Sequence, residues 1–377
     1  MLDVSTSPQQ VMVGHVAVEP TVLGNGGYGQ VIRGTDTTTG ELIAVKATTY
    51  TNAAGYQNAV KEVQLLQRLS HHEGIIGLRG ATEIPGQPMV FMFLELASGD
   101  LLQQVLKNGP GGLRDAAEAM RYFSEVTSAV GFLHDQGIAH RDLKLENILL
   151  VDGRCKLCDF GLSTDRTGDA LFDVCGSLSY AAPEVKTVTR HGYDGRIADI
   201  WSLGVSLFAM LCGFFPFTEA SAADWRFTKA AHLVAEGESL TKSVFALYRR
   251  SCHLSLEAVD LIDSLMTVAP KWRCTARDAL DSEWATGRKL DEDRPARASR
   301  TSTRDALPPC SSPLHLLDKA FDSAKTASLS LDSTPPVWGL SSFGESNSSH
   351  FPSFSMTVDT TLGMEPSCCD NGDGEWW

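Results

Sequence analysis

Four polar side chains suited to phosphoryl transfer lie near the middle of the chain. Asp142, Lys144 and Asn147 belong to the string His-Arg-Asp-Leu-Lys-Leu-Glu-Asn, and Asp159 opens the later string Asp-Phe-Gly. Asp142 could accept the proton of an attacking hydroxyl, while Lys144 could neutralise charge on the transferred group. Asn147 and Asp159 offer the hard oxygen atoms that Mg²⁺ prefers as ligands. These residues therefore predict magnesium-dependent phosphoryl transfer.

Both strings resemble the catalytic and metal-binding loops of the eukaryotic protein kinases. The resemblance extends from residue 18 to residue 284, and lysine at position 144 resembles the serine/threonine class. It implies an α+β, two-lobed protein kinase fold: a small, mainly antiparallel β lobe with one regulatory helix, and a larger, mainly α-helical lobe. We expect these lobes at residues 17–94 and 95–287. The resemblance also implies ATP and Mg²⁺ as cofactors and proteins as substrates.

A glycine-rich segment precedes these loops, with Gly24, Gly26 and Gly29 in the pattern Gly-x-Gly-x-x-Gly. The pattern alone is weak evidence, because dinucleotide-binding folds and ordinary turns carry it too. In a dinucleotide fold the last glycine opens a helix, whereas here the β-branched residues Val31 and Ile32 follow, and then a turn and a second apolar run. The segment is therefore predicted to be a hairpin whose glycines let backbone N–H groups approach phosphate oxygens.

Lys46 ends the apolar string Ile-Ala-Val-Lys, and a phosphate-binding lysine needs a carboxylate to hold it extended. Glu62 is the candidate partner. The spacing of Leu65, Leu66 and Leu69 predicts a helix, and Glu62 lies on its inward face four residues before Leu66. In the kinase family this ion pair forms only in the active state. The alternatives are a surface lysine at a strand end and a solvated glutamate on a helix.

The resemblance also implies a nucleotide pocket. Leu94 would border the back of the adenine site, and the backbone of Glu95 and Ala97 would hydrogen-bond the base. Asp100 would face the ribose or the substrate. The expected ATP-binding residues are Leu23, Gly24, Asn25, Gly26, Gly27, Tyr28, Gly29, Gln30, Val31, Ala44, Lys46, Leu94, Glu95, Ala97, Asp100 and Cys158.

Cys155 and Cys158 form a Cys-x-x-Cys pattern beside Asp159. A redox or zinc site would need partner ligands and an exposed turn. The alternation of polar and apolar residues from Cys155 to Cys158 instead favours a strand. In that interpretation Cys158 lines the nucleotide pocket, because it directly precedes Asp159.

The segment after Asp-Phe-Gly presents the substrate in protein kinases. It ends Val-Cys-Gly-Ser-Leu-Ser-Tyr-Ala-Ala-Pro-Glu, which resembles the calmodulin-dependent, AMP-activated and checkpoint-like kinases. The resemblance implies that Ser177 hydrogen-bonds Asp142 and Lys144. It also implies a buried ion pair between Glu184 and Arg273.

Asp173 departs from this family pattern, because many relatives have an activating threonine at this position. A carboxylate could partly stand in for a phosphate and attract Arg141, with about one negative charge instead of nearly two. We therefore hypothesise activity without phosphorylation of the activation segment. The hypothesis is wrong if an upstream kinase must first modify Ser163, Thr164 or Thr167. The alternative is an exposed loop aspartate without a partner.

Substrate preference is inferred from the same resemblance. Glu146 and Asp100 match positions that, in basophilic relatives, receive an arginine three residues before the acceptor. Val174, Leu178 and Ala181 would form an apolar pocket for the residue after the acceptor. The expected substrate contacts are Glu146, Ser177, Leu178 and Ala181.

Hydrophobic periodicity predicts the elements that must position these residues. Strands are expected at residues 75–78 and 89–94, and helices at residues 101–107, 115–134, 254–265 and 275–284. The longest apolar run, residues 200–217, is interrupted by two serines and a proline, so a buried helix is favoured over a membrane span. Asp199 fits the N-cap of this helix. By resemblance, it also anchors the backbone of the catalytic loop.

Composition limits the partners and the compartment. The chain has 377 residues and a formal net charge of −14, which argues against a surface for nucleic acid or for anionic membranes. The chain has nine cysteines without disulfide-like spacing, and its N-terminus lacks a basic-then-apolar signal. We therefore expect a reducing setting in the cytoplasm, the nucleus or both.

The two ends of the chain lack hydrophobic periodicity. Residues 1–16 are expected to form a flexible arm. Residues 288–377 are rich in Ser, Thr, Pro and Asp and are expected to be a disordered acidic tail. Thr303 follows Arg300 by three residues, so self-phosphorylation there is one hypothesis, and a linker without regulation is the other. The tail could also bind a regulatory partner.

Two competing functions remain to be weighed. A pseudokinase scaffold would act by conformation alone, and a small-molecule kinase would lack a substrate-presenting segment. The Ala-Pro-Glu string at residues 182–184 disfavours the second. The first is disfavoured because every expected catalytic or metal-binding residue is present: Lys46, Glu62, Asp142, Lys144, Asn147 and Asp159.

Overall fold

Alternating apolar and polar residues in the first part of the chain build an antiparallel sheet. The computed structural model describes residues 11–26, 29–109, 111–166, 170–188 and 190–288, except for the side chains of residues 25 and 26. The strands of this sheet are β1 Val11–Val13, β2 Val16–Gly26, β3 Gly29–Asp36, β4 Leu42–Thr49, β5 Leu78–Glu83 and β6 Met89–Glu95. They lie in the order β1-β2-β3-β4-β6-β5. The glycine-rich segment is a hairpin, as predicted, because β2 and β3 pair up to Gly26 and Gly29.

Two boundaries in this lobe differ from the sequence predictions. The strand predicted at residues 75–78 begins only at Leu78, because Ile75 forms an isolated bridge to Leu157 of the other lobe. Residues 11–16, expected in the flexible arm, form β1, a two-residue turn and the first residue of β2. Val13 and Val16 are 5% and 0% exposed, so burial of these two side chains fixes the segment on the sheet.

The two faces of the sheet carry different side chains. Val31 pairs with Lys46 and Ala44 pairs with Leu94. Because side chains alternate along a strand, these four residues lie on one face. The other face is closed by a small apolar cluster of Val13, Val16, Ile43, Val45, Met89, Phe91 and Phe93. The first face is therefore the one that can serve a functional site.

Helix α1, Ala53–Leu69, is the one helix of the small lobe among the described residues. It begins earlier than its apolar spacing indicates, because the side chain of Asn52 caps it by accepting the N–H of Gly55 at 2.8 Å. Its buried face includes Val63 and Leu66, and Glu62 lies on that same buried face. The helix thus delivers a carboxylate into the interior.

The remaining described residues form a mainly helical lobe with a small three-stranded sheet, β7-β8-β9. Its elements are β7 Gly99–Asp100, α2 Leu101–Lys107, α3 Ala116–Asp135, β8 Ile148–Val151, β9 Arg154–Leu157, α4 Pro183–Lys186, α5 Gly195–Cys212, α6 Trp225–Ala235, α7 Leu240–Leu247, α8 Leu256–Leu265, α9 Ala276–Leu280 and α10 Glu283–Thr286. The helix predicted at residues 101–107 has the predicted bounds. The helix predicted at residues 275–284 is instead two short helices, because Ser282 caps a new one. The two-lobed α+β architecture is confirmed.

The apolar helix α5 lies at the centre of the large lobe. By length and composition alone it could cross a membrane, but 83% of its 18-residue window is buried within the protein. The prediction that Asp199 caps it was wrong. The cap is Asp194, whose carboxylate accepts the N–H of Arg196 at 2.9 Å. The helix ends before Gly213, which adopts a left-handed φ of 68°.

Arg273 and Glu184 form a buried ion pair that joins the segment before α9 to α4. Arg273 Nη2 lies 3.1 Å from Glu184 Oε2, and Nη1 contacts Oε1, so the pair is bidentate. Arg273 also donates to the carbonyl oxygens of Ile197 and Thr267 at 2.8 and 3.1 Å. The guanidinium is fully buried, so its charge depends on these partners.

We expect Arg273→Ala to lower the free energy of unfolding by about 3–5 kcal/mol, because it leaves the Glu184 carboxylate without its partner. The matched control is Arg79→Ala, which breaks an ion pair with Glu41 in which both side chains are more than 40% exposed. The control should cost under about 1 kcal/mol. Urea denaturation followed by circular dichroism measures both. Equal losses in the two variants would contradict the prediction.

Candidate active site

Four hydrogen bonds converge on the carboxylate of Asp142, which lies in the loop between α3 and β8. Its Oδ1 accepts the N–H and the hydroxyl of Ser177, both at 2.9 Å. Its Oδ2 accepts Lys144 Nζ at 2.7 Å and Asn147 Nδ2 at 3.2 Å. Lys144 Nζ also lies 2.9 Å from Ser177 Oγ. The loop and the activation segment therefore share one network, with the contacts that the resemblance implies for Ser177.

Asp199 holds the backbone of this loop from within α5. Its carboxylate is 1% exposed and accepts the N–H groups of His140 and Arg141 at 2.8 and 2.7 Å. His134 Nε2 lies 3.0 Å from the same carboxylate. Arg141 has a φ of 70°, a left-handed conformation that costs energy in a residue with a Cβ. Two charge-assisted hydrogen bonds to Asp199 offset this cost.

Lys46 joins three elements of the site. Its Nζ lies 2.7 Å from Glu62 Oε1 on α1 and 2.8 Å from Asp159 Oδ1 in the Asp-Phe-Gly string. The lysine itself lies on β4. The structure therefore contains the lysine–glutamate pair that the kinase family forms in its active state.

The ammonium group of Lys46 stabilises the charged forms of both carboxylates in this triad, whereas the two carboxylates repel each other. Burial alone would lower the pKa of Lys46, but the carboxylates of Glu62 and Asp159 outweigh it and raise that pKa. Burial likewise opposes ionisation of Asp159, yet Lys46 holds the pKa of this carboxyl below its usual range. The pKa of Glu62 is raised by burial, which Lys46 offsets in part. At neutral pH, Lys46 is a cation and Asp159 an anion.

Asn147 and Asp159 fit a magnesium ion by the type of atom that they leave available. Asn147 Nδ2 donates to the carbonyl oxygen of Asp142 at 2.9 Å, so its amide oxygen is left for a ligand. Asp159 uses Oδ1 for Lys46, which leaves Oδ2. Among the described residues, no group of three His, Cys, Asp or Glu side chains could hold a metal. An ion here would therefore need oxygen atoms from substrate phosphates as well, as Mg²⁺ sites commonly do.

The glycine-rich hairpin is part of the sheet whose one face carries Val31, Ala44, Lys46 and Leu94. A Cβ at Gly29 would lie 1.8 Å from the carbonyl oxygen of Ala47, so close approach of β4 requires glycine there. A Cβ at Gly24 would meet no heavy atom within 4 Å. Three of the expected nucleotide contacts lie outside the described residues: the side chain of Asn25, Gly27 and Tyr28.

Strand β6 ends in Glu95, whose carboxylate forms hydrogen bonds with other groups of the protein. It accepts the N–H of Gly77 at 2.6 Å and Lys156 Nζ at 2.7 Å. Asp100 caps α2, and both of its oxygens accept hydrogen bonds from Gln103. The expected contact of Asp100 with ribose or substrate would thus compete with a helix cap. The other expected pocket residues are exposed or half-buried: Leu23, Gln30, Ala97 and Cys158.

Arg141 and Asp173 are brought together, as hypothesised from the sequence. Arg141 Nη2 forms an ion pair with the Asp173 carboxylate. It also lies 3.0 Å from the hydroxyl of Tyr193, which donates to the Asp173 carbonyl oxygen at 2.8 Å. Burial opposes ionisation of Asp173, but Arg141 outweighs it and lowers the pKa of this carboxyl. Ser163 and Thr164 are only 6% and 5% exposed, and Thr167 lies outside the described residues.

Glu146, the expected partner of a substrate arginine, is exposed and held by Tyr180. The Tyr180 hydroxyl donates to Glu146 Oε2 at 3.0 Å and accepts the N–H of Leu145 at 3.3 Å. Leu178 is 47% exposed, whereas Ala181 is 7% exposed. Thr303, the expected site of self-phosphorylation, lies outside the described residues.

Sequence reasoning missed three residues that support the site: His134, Tyr180 and Tyr193. Each contacts a functional side chain more than 20 positions away, so no local spacing reveals it. The sequence pointed weakly to a role for Tyr180, because this residue lies within the string that resembles the kinase activation segment. It did not point to Tyr193 or His134.

The Cys-x-x-Cys pattern forms part of a strand and its end, as favoured from the sequence. Cys155 lies in β9 and is 2% exposed. Cys158 donates its N–H to the Asn147 carbonyl oxygen at 3.0 Å, and its own carbonyl oxygen contacts His140 Nε2 at 3.0 Å. Burial raises the pKa of Cys158 to about 12. Both thiols are therefore protonated at neutral pH.

Comparison with known proteins agrees with this geometry. A family model described as protein kinase domain matches residues 18–285. The chain is 33% identical over 273 residues to CBL-interacting protein kinase 16 of Oryza sativa subsp. japonica, which covers 70% of this chain and 55% of that protein. It is 35% identical over 267 residues to sperm motility kinase 2B of Mus musculus, which covers 70% and 50%. The chain thus spans about half the length of these curated relatives.

We expect iodoacetamide at pH 8 to alkylate Cys252 and to leave Cys155 and Cys158 intact in the folded protein. A pKa of about 12 leaves roughly one Cys158 thiol in ten thousand ionised at pH 8, and the thiolate is the reactive form. Cys252 is the internal control, because it is exposed. Mass spectrometry of the peptides measures the result, and guanidinium should make all three react. Rapid alkylation of Cys158, or a disulfide to Cys155, would restore the redox interpretation.

Proposed function

The chain belongs to the protein kinase family, and from this premise we propose that it transfers the γ-phosphate of ATP to serine or threonine hydroxyls of proteins. The observation that carries the proposal is the network on Asp142, which unites Lys144, Asn147 and Ser177. Curated relatives whose names include serine/threonine kinase support the residue class of the acceptor.

The residues of the chain divide the work of transfer among them. Asp142 orients the acceptor hydroxyl and accepts its proton, because its carboxylate is held by four donors and cannot turn away. Lys144 places a cation beside the same carboxylate, where charge develops on the transferred group. Lys46 binds phosphate oxygens, and Glu62 holds it extended. Mg²⁺, when bound by Asn147 and Asp159, would neutralise charge on the phosphates.

A pseudokinase scaffold is the competing function. The ion pair of Lys46 with Glu62 argues against it, because a scaffold has no need to bury a charged lysine among carboxylates. Such burial costs several kcal/mol per ion unless it serves pairing or binding.

We also propose a basophilic preference, with arginine three residues before the acceptor and an apolar residue after it. Glu146 supports the first part, because its carboxylate is exposed and is fixed by Tyr180. Val174 and Leu178 support the second, because these apolar side chains are 59% and 47% exposed beside the buried Ala181. Exposed apolar groups next to a catalytic loop suit an apolar substrate side chain.

Asp173 supports activity without modification of the activation segment. Its ion pair with Arg141 ties the segment to the catalytic loop, as a phosphate would. Tyr193 strengthens the tie through the Asp173 carbonyl oxygen. The near-complete burial of Ser163 and Thr164 makes both poor sites for an upstream kinase in this conformation.

The names of some relatives and the cysteines of the chain bear on its regulation and location. Some curated relatives are named CBL-interacting kinases, so binding partners are part of their description. We propose that this chain also has a regulatory partner, bound through its C-terminal region, and that it acts in the cytoplasm or nucleus. Free thiols at six described cysteines suit a reducing compartment.

Phosphate-free protein should transfer phosphate from ATP and Mg²⁺ to a serine peptide with arginine at minus three and leucine at plus one. Asp142→Asn should reduce kcat by about 100-fold or more, because it removes the base. The matched control is Asp152→Asn, which changes an exposed loop residue of positive φ that asparagine tolerates equally well. Radiolabel incorporation measures the transfer.

A peptide with aspartate at minus three separates the preference from the activity. Wild type should favour the arginine peptide by about tenfold, and Glu146→Gln should lose most of this difference. Equal rates on both peptides would end the basophilic proposal while leaving the kinase intact. ATP binding without transfer to any peptide would favour the scaffold.

Asp173→Asn should lower kcat/KM by about tenfold in phosphate-free protein, because it removes a charge-assisted hydrogen bond to Arg141. Asp165→Asn is the matched control. Asp165 is 52% exposed, and its ion pair with Lys61 is long, at 3.7 Å. Hydrogen exchange at residues 171–176 should rise in the first variant alone. Wild type that remains inert until Thr167 is phosphorylated would contradict this prediction.

A further inference from the structure

The loop that leads into α5 pairs with the activation segment through its backbone. Leu171 and Tyr193 exchange two N–H to carbonyl hydrogen bonds, each of 2.9 Å. Gly192 has a left-handed φ of 65°, and a Cβ there would lie 2.6 Å from the Leu171 carbonyl oxygen, so this close approach requires glycine. We call Leu171, Gly192 and Tyr193 the Tyr193 clip. The two parts of the chain that it joins are separated in sequence by α4.

The hydroxyl of Tyr193 extends the clip to the catalytic loop. It accepts an N–H of Arg141 Nη2 at 3.0 Å and donates to the Asp173 carbonyl oxygen at 2.8 Å. Tyr193 is 5% exposed, and burial raises its pKa to about 12. The hydroxyl therefore keeps its proton at neutral pH and serves as donor and acceptor at once.

The clip and the ion pair at position 173 hold the same segment by different forces. The side chain of Asp173 is 63% exposed, so salt can screen its attraction to Arg141. The clip instead uses backbone pairing and an uncharged hydroxyl, and its Leu171 is 6% exposed. Contacts of this kind depend little on ionic strength.

The position of the clip links it to the substrate side of the site. Residues 171–177 are held at one end by Tyr193 and at the other by Asp142, whose Oδ1 accepts the N–H and the hydroxyl of Ser177 at 2.9 Å. Val174, an exposed apolar residue expected to contact the substrate peptide, lies between these two ends. The clip thus bears on peptide binding and not on the nucleotide pocket.

We propose that Tyr193 is a positioning residue: its hydroxyl holds Arg141 and the activation segment together by contacts that persist where salt weakens the ion pair of Asp173. The proposal rests on the kinase activity proposed above, because the segment that Tyr193 positions is the one that presents the substrate. The competing interpretation is that the Tyr193 ring only fills space, in which case its hydroxyl is dispensable.

The first experiment measures the order of the segment and needs no activity. Hydrogen exchange at residues 171–176 is compared in the full chain between Tyr193→Phe and the matched control Tyr122→Phe. Tyr122 is 3% exposed, and its hydroxyl donates to Glu118 Oε1 at 2.8 Å, so both variants remove a hydrogen-bonded hydroxyl from a buried ring. Exchange should be at least about fivefold faster in Tyr193→Phe alone. Equal exchange in the two variants overturns the proposal.

Salt separates the clip from the ion pair. In Tyr193→Phe the hydroxyl contacts are lost and the ion pair remains, so added sodium chloride should speed exchange at residues 171–176 further. In Asp173→Asn the charge is lost and the clip remains, so salt should have little effect on exchange there. An equal response of the two variants to salt would show that the hydroxyl adds nothing independent of charge and would overturn the proposal.

Phosphate transfer measures the consequence for the reaction. Tyr193→Phe should lower kcat/KM for the arginine peptide by about tenfold and leave KM for ATP within about twofold of wild type, whereas Tyr122→Phe should match wild type in both. Peptide kinetics equal to those of wild type would contradict the positioning role. Wild type that transfers no phosphate would count against the proposed function, and the exchange data would still decide the role of Tyr193.

Gly192→Ala tests the backbone part of the clip without changing the hydroxyl. Its matched control is Gly153→Ala, at a left-handed φ of 75° where a Cβ would meet no heavy atom within 4 Å. Both variants carry the backbone strain of a positive φ, but only Gly192→Ala forces the paired backbones apart. Exchange at residues 171–176 should rise in Gly192→Ala alone. Unchanged exchange in this variant would show that the pairing does not hold the segment.

Discussion

One buried carboxylate fixes the backbone on which the chemistry depends. Asp199 is enclosed in the centre of the large lobe, and it binds the N–H groups of His140 and Arg141. A buried charge is tolerated only where it is fully hydrogen-bonded, so the loop cannot leave it without a large cost. The left-handed conformation of Arg141 follows from this anchor. The same two hydrogen bonds therefore also position Asp142, the next residue along the chain.

The small lobe contacts the Asp-Phe-Gly string of the large lobe through the side chain of Lys46. Lys46 is carried by the sheet, Glu62 by α1 and Asp159 by the large lobe, so three separately folded elements meet at one ammonium group. Each carboxylate offsets the cost of burying the cation, and the cation offsets theirs. Because the three depend on one another, displacement of α1 would also disturb Asp159.

Features encoded within short stretches could be predicted from the sequence, and features that depend on distant contacts could not. The hairpin at Gly24–Gly29 and the helix that carries Glu62 follow from local periodicity. The prediction of Asp199 as the cap of α5 was wrong because this residue directly precedes the apolar run, whereas Asp194 is followed by Gly195 and Arg196. Only the hydrogen bond from the Arg196 N–H identifies Asp194 as the cap. The need for glycine at position 29 arises from β4, whose approach no pattern in the segment reveals.

The carboxylate at position 173 is part of the polypeptide itself. A phosphate on a side chain is an ester that a phosphatase can hydrolyse, whereas the aspartate side chain is joined by carbon–carbon bonds. The negative charge at position 173, which pairs with Arg141, therefore lasts as long as the molecule does. No phosphatase can remove this charge. The amount of protein that carries it in a cell therefore depends only on synthesis and degradation of the chain.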